Sequence, residues 1–169
     1  MAQRQGRSNT SLTLTYRVDG LREVLSALNR LGKEANLALR KRALEISRSL
    51  AGDIKTAGVA TGAQAAIVAA TVKAQFDRVP VIKAGGTTRI GNPAVPAYKL
   101  LFASEFGQNR RTGWYGKPRY ANSAGMQYQP HIGRDSYWIF RTVDDQAERV
   151  LTEWATVADE VVREFGAGR

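Results

Sequence analysis

The chain has 169 residues, 43% of them apolar, with 25 Lys and Arg against 15 Asp and Glu, a formal net charge of +10. A chain of this length can bury roughly 70% of its unfolded surface in one compact domain. It has no cysteine, which excludes disulfides, thiolate catalysis and cysteine-bound metal and fits an intracellular protein.

The charge is uneven along the chain. Residues 1–60 carry 11 basic and 5 acidic side chains (net +6), residues 61–135 carry 10 and 3 (net +7), and residues 136–169 carry 4 and 7 (net −3). A basic body with an acidic C-terminal segment points to internal or intersubunit complementarity as much as to a nucleic-acid face. The N-terminal MAQRQGRSNT lacks an apolar core, so no signal peptide is expected. The longest apolar run, AAIVAA at 65–70, is far short of the ~20 residues that span a bilayer, so no membrane partner is expected.

Residues 1–10 read as a flexible basic arm, and 11–169 as a single α+β domain. Leu12, Leu14 and Tyr16 alternate with Thr13, Thr15 and Arg17, the pattern of a half-buried strand, and Asp19-Gly20 turns the chain. From 21 to 56 the period becomes helical: Leu25, Leu28, Ala35, Leu39, Ala43, Ile46, Leu50 and Ile54 share a face. Gly32 predicts one bent helix or two that meet there. The intervening Arg and Lys residues read as a solvated face.

Gly58 and Thr61-Gly62 punctuate the chain, and 63–70 predicts a short alanine-rich helix. Val72, Ala74 and Phe76 alternate with polar neighbours, giving a strand paired to a second over 78–83. A third short strand follows over 87–90. The GGTTRIG run lacks the spacing of a phosphate loop and reads as a hairpin turn.

Pro96 suits the first position of a short helix that Gly107 ends. Tyr98, Phe102 and Phe106 recur at i, i+4 and i+8 as its apolar stripe, with Leu101 beside it. Glu105 flanks that stripe, where a carboxylate is costly unless paired, so an arginine partner is expected: Arg110, Arg119 or one from a neighbouring subunit. A loop at 107–135 follows, long for a compact domain. It mixes the cations Arg110, Arg111, Lys117 and Arg119 with Trp114, Tyr115, Tyr120 and Tyr128. Single-strand binders use such mixtures, and so do protein interfaces; the interface reading is preferred, with the four cations as the DNA-proximal set.

Residues 135–142 predict a strand or the start of a helix. Thr142 and Asp145 have the spacing of a capping box, and Ala147, Val150, Leu151, Trp154, Ala158, Val161 and Phe165 define a long helix over 143–165. His131 has no second histidine, cysteine or Ser–Asp pattern near it, so it reads as a loop or packing residue. Asp144/Asp145 and Asp159/Glu160 are adjacent on helices, splayed by about 100°, and make poor chelates. No catalytic residue, metal site or cofactor is predicted. A small nuclease would need a clustered acid, histidine or metal set that cannot be assembled here.

Together these patterns predict a small antiparallel sheet packed by a long N-terminal helix or helix pair, a short central helix and a long C-terminal helix. With those elements in order, the chain resembles the neck and tail-component proteins of long-tailed bacteriophages. The resemblance rests on the strand followed by GLREVLSALNRLGKEANLALRKRALEISRSL, on Thr61-Gly62 before a small-residue helix, on PAYKLLFASEFG at 96–107 and on the terminal helix. The family pattern places Ala after the Pro-Tyr, whereas Ala97 here precedes Tyr98.

The resemblance implies a structural virion protein, not an enzyme, assembled in the host bacterial cytoplasm. It implies a homo-oligomeric ring at the head–tail junction, between head-completion and tail proteins, with DNA passing through the lumen without sequence specificity. Glu105, Phe106, Arg110, Arg111, Trp114, Tyr115, Arg119 and Tyr120 are then the expected subunit interface. A tail terminator ring capping the tail tube is the alternative, and a basic nucleic-acid-binding protein the alternative of another class.

Overall fold

A computed structural model of the chain describes residues 11–15, 21–108, 127–133 and 135–166. The architecture is α+β. Strand β1 (Ser11–Thr15) leads to helices α1 (Leu21–Leu31), α2 (Lys33–Thr61) and α3 (Ala63–Ala69). Strands β2 (Lys73–Gln75), β3 (Val81–Gly85), β4 (Arg89–Ile90) and β5 (Val95–Pro96) follow. Helices α4 (Ala97–Phe106), α5 (Ile139–Asp145) and α6 (Ala147–Gly166) complete the fold.

The 29-residue α2 is the axis, packing against α1, α3, α5 and α6 and against β2 and β3. Its inner face carries Ala35, Leu39, Ala43, Ile46, Leu50 and Ile54, the positions its helical period predicts. Between α1 and α2, Gly32 (φ 95°) breaks the helix, so the two-helix alternative holds. Asn36 Nδ2 donates to the carbonyls of Leu28 (3.1 Å) and Gly32 (2.9 Å), supplying partners the break would leave open.

Gly58 does not end α2 as its identity predicts. A Cβ there would lie 2.6 Å from Ala69 Cβ and 2.8 Å from Trp138 Cε3, so the glycine admits α3 and an indole against the helix.

The main sheet is antiparallel in the order β1-β3-β2. Leu12 opposite Ala84, and Leu14 and Ala74 opposite Ile82, place the apolar face on the helices. The strand expected through Phe76 ends at Gln75, and Phe76 is 46% exposed rather than on the core face. The strand expected from Arg78 starts at Val81. Buried Ser47 ties sheet to helix: its hydroxyl donates to Ala43 O (2.8 Å) and accepts the Val81 N–H (3.1 Å).

The long helix expected over 143–165 is two. Helix α5 begins at Ile139, Gln146 (φ −98°, ψ 0°) bends the chain, and α6 carries Val150, Trp154, Ala158 and Val161 into the core. Thr142 is helical, its N–H donating to Trp138 O, so the expected Thr142–Asp145 capping box does not form. Arg42 of α2 meets Glu160 (3.1 Å) and Glu164 (2.9 Å) of α6, and Arg149 meets Asp53 (2.8 Å), so part of the charge segregation is satisfied within the chain.

Candidate functional site

The elements converge where α4 ends. The N-terminus of α4 is held by the turn before it: the N–H groups of Ala97 and Tyr98 donate to Thr88 O (2.9 Å) and Gly86 O (3.0 Å). Pro96 precedes the helix and pairs with Arg89 instead of occupying its first turn. The GGTTRIG run is therefore the anchor of α4.

The buried face of α4 is rotated from the expected stripe toward Leu101. Ala97, Leu101, Ala103, Ser104 and Glu105 are buried, whereas Phe102 is 47% exposed and Tyr98 and Phe106 are half-buried. Small side chains let α4 pack on α3 and the sheet, and Phe102 faces outward with Tyr98 and Phe106 at the margin. Phe102 stacks on Phe106 (centroids 6.3 Å apart) and Phe106 on Phe140 (5.9 Å).

Glu105 is 0% exposed. Its partners among the described residues are not cations but the N-terminus of α5. Oε2 accepts the Ile139 N–H and Oε1 the Phe140 N–H, both at 2.9 Å, and the Ser136 hydroxyl donates to Oε1. Ser136 Oγ in turn accepts the Arg141 N–H (3.1 Å). The carboxylate thus caps a helix more than thirty residues away, meeting orphan donors and the positive end of the helix dipole at once. The expected arginine partner is replaced by backbone; Arg110 and Arg119 lie outside the described residues.

A second layer closes around this cap. Glu105 O accepts the Tyr137 N–H (2.9 Å), and Trp138 Nε1 donates to Ser104 O (3.1 Å). Gln108 N donates to Gln129 O (2.8 Å), and His131 N to Gln108 O (3.2 Å), in a parallel bridge. His131 Nδ1 lies 2.9 Å from the Phe106 carbonyl, to which it donates, in keeping with a packing histidine. Gln129 Nε2 reaches Thr61 O (2.9 Å). Gly107 (φ 70°) makes the closure possible, since a Cβ there would lie 2.3 Å from Pro130 O.

The expected interface is therefore described at its base alone. Glu105 is an internal cap, not an interface residue, and Phe106 lies on the outward aromatic face. Arg110, Arg111, Trp114, Tyr115, Lys117, Arg119 and Tyr120 lie outside the described residues. Sequence reading missed Ser136, whose position before an aromatic run resembles a helix start, and Gly58.

Chemically the site is a clasp. Glu105 is saturated with donors and shut from solvent, so it has no route to a substrate proton. Among the described residues no group of three His, Asp or Glu is placed to hold a metal ion, and no helix is long and apolar enough to cross a membrane. In comparisons with known proteins the chain matches no family model, no curated protein and no solved structure.

Proposed function

We propose that the chain is a structural protein of a tailed-bacteriophage virion, forming a ring at the head–tail junction through which DNA passes. The observation that carries this reading is the outward aromatic face of α4. The segment 96–107, which bears the family resemblance, spends its buried face on a rigid cap and leaves Phe102 exposed, at the end of a stack that runs through half-buried Phe106 to half-buried Phe140 of α5. Stacked aromatics at a surface gain most when a second surface covers them.

A neighbouring copy of the chain is the occupant. Exposed Lys99 and Arg141 flank the aromatic face, and exposed Glu148 and Asp159 lie on α6. Unlike charges on two patches of one chain favour a head-to-tail contact, the kind that closes into rings. Both ends of α4 are fixed by backbone hydrogen bonds, so the face is presented rigidly.

Mass photometry of the purified chain tests the ring, and cryo-EM of virions tests its place. Particles at a fixed multiple of the chain mass, and density for the chain in the neck, are the expected results. Strictly monomeric protein absent from the neck overturns the assignment. The same map separates a neck ring from a tail terminator, which would sit against the tail tube.

A further inference from the structure

An open cleft of about 730 Å³ lies at the elbow between α1 and α2, away from the α4 clasp. Asn29, Gly32, Asn36 and Leu37 form its floor, and Lys33, Arg40 and Arg78 supply three positive charges. Among the described residues no carboxylate lines it; Glu34, in the same helical turn, and Asp77, beside Arg78, are not among its walls. None of the three cations has an acidic partner among the described residues, unlike Arg42 and Arg149.

The cleft is built on fixed parts. Lys33 and Arg40 are seven residues apart on α2, two turns along one face, with Asn36 and Leu37 between them. Arg78 is held from both ends: its guanidinium donates to Asn29 Oδ1 (3.1 Å), and its carbonyl accepts the Trp154 Nε1–H (2.7 Å). The first turn of α2 opens here without a side-chain cap, and nothing lies within 4 Å of a Cβ built on Gly32. Beside the cleft, the Arg40 guanidinium sits 5.9 Å over the ring of Phe76, which is 46% exposed.

We propose that this cleft binds the backbone of a single-stranded nucleic acid, a phosphate seated among Lys33, Arg40 and Arg78 and a base stacked at Phe76. Cations alone would attract any polyanion. The exposed ring under a guanidinium selects a strand whose bases are free, since bases inside a duplex cannot reach it.

The test is fluorescence anisotropy with a labelled deoxythymidine oligomer and the full chain. K33Q/R40Q/R78Q is compared with K55Q/K73Q/K83Q, which removes equal charge from exposed positions outside the cleft. Both sets leave the core intact, because Lys33 and Arg40 are exposed and Arg78 holds Trp154 through its backbone; thermal melts check this. The cleft variant is expected to bind about tenfold or more weakly, and the log–log salt slope to shrink by about 0.7, for the one phosphate no longer neutralised. Phe76→Ala should weaken the oligomer while leaving the salt slope unchanged, and a duplex of equal length should bind more weakly than the single strand.

Equal losses in the two charge variants would mean diffuse attraction and overturn the proposal, as would a wild-type chain that does not bind the oligomer at low salt. Inorganic phosphate is the remaining arm. If it binds the wild-type cleft while the cleft variant keeps full affinity for the oligomer, the site belongs to a free anion and the strand assignment falls. None of these outcomes depends on ring formation.

Discussion

The Ile139 N–H donates to Glu105 Oε2 at 2.9 Å, so a carboxylate at the end of one helix begins another 34 residues later. Burial of an acid is tolerated here because three donors from 136–140 converge on its two oxygens. The cap also sets the angle at which Trp138 enters beside Gly58, linking α4, α5 and the C-terminal half of α2.

Removing the carboxylate strands two backbone N–H groups and a hydroxyl. Glu105→Ala is expected to cost about 4 kcal/mol, since hydrogen bonds to charged groups contribute roughly 1.5–3 kcal/mol each and do not add fully. Glu105→Gln keeps the volume and one acceptor oxygen but turns an NH2 toward a donor, and should cost about half as much. Urea unfolding measures both. An alanine variant within about 0.5 kcal/mol of wild type, the range of ordinary surface changes, would deny the cap its structural role.

Two glycines of α2 should respond to alanine with opposite signs. Gly52 has open space around its Cβ position, so Gly52→Ala should stabilise by about 0.5–1 kcal/mol through helix propensity. At Gly58 the same propensity gain is outweighed by contact with Ala69 and Trp138, and a net loss of about 1–2 kcal/mol is expected. Thermal melts of the pair decide it; equal shifts in one direction would contradict the packing described.

Gly107→Ala meets two barriers together. The backbone sits at φ 70° and ψ −179°, a region nearly confined to glycine, and the new Cβ would strike Pro130 O and Gln129 O. A loss of about 3 kcal/mol is expected. Amide exchange should also speed up at Gln108 and His131, whose N–H groups close the bridge. Unchanged protection at those amides would place the closure elsewhere.

Phe102→Ser separates assembly from folding. Nearly half exposed, its ring supports the monomer mainly through the stack on Phe106, so stability should fall by less than about 1 kcal/mol. The proposed ring oligomer, read by mass photometry, should be lost. An oligomer that survives the substitution would show that α4 is not the contact.

The Arg42 pairs with Glu160 and Glu164 are partly solvated, and Arg42→Ala should cost about 1 kcal/mol or less, diminishing as salt is raised. Chemical denaturation in urea at two ionic strengths checks this; a salt-independent loss would assign the effect to packing of the Arg42 stem.

Periodicity is a local property, and what it encodes is legible along the chain. The alternation of Leu12 and Leu14, the α2 face from Ala35 to Ile54 and the α6 face from Val150 to Val161 all follow from spacing, because each buries one face against whatever core forms. The chain's α+β class follows from the same patterns. Three other features depend on which elements meet. Gly58 has the look of punctuation, but a helix continues through it because an indole and a methyl need its missing side chain. The stripe Tyr98–Phe102–Phe106 has core spacing, yet Phe102 faces outward and Tyr98 and Phe106 are only half-buried, because the packing of α4 selects Ala97, Leu101 and Ser104 for the inside. Glu105 invites an arginine, but backbone donors 34 residues on satisfy it instead. Hydrophobic spacing tells a helix that it has two faces; the size and hydrogen bonding of its neighbours choose between them.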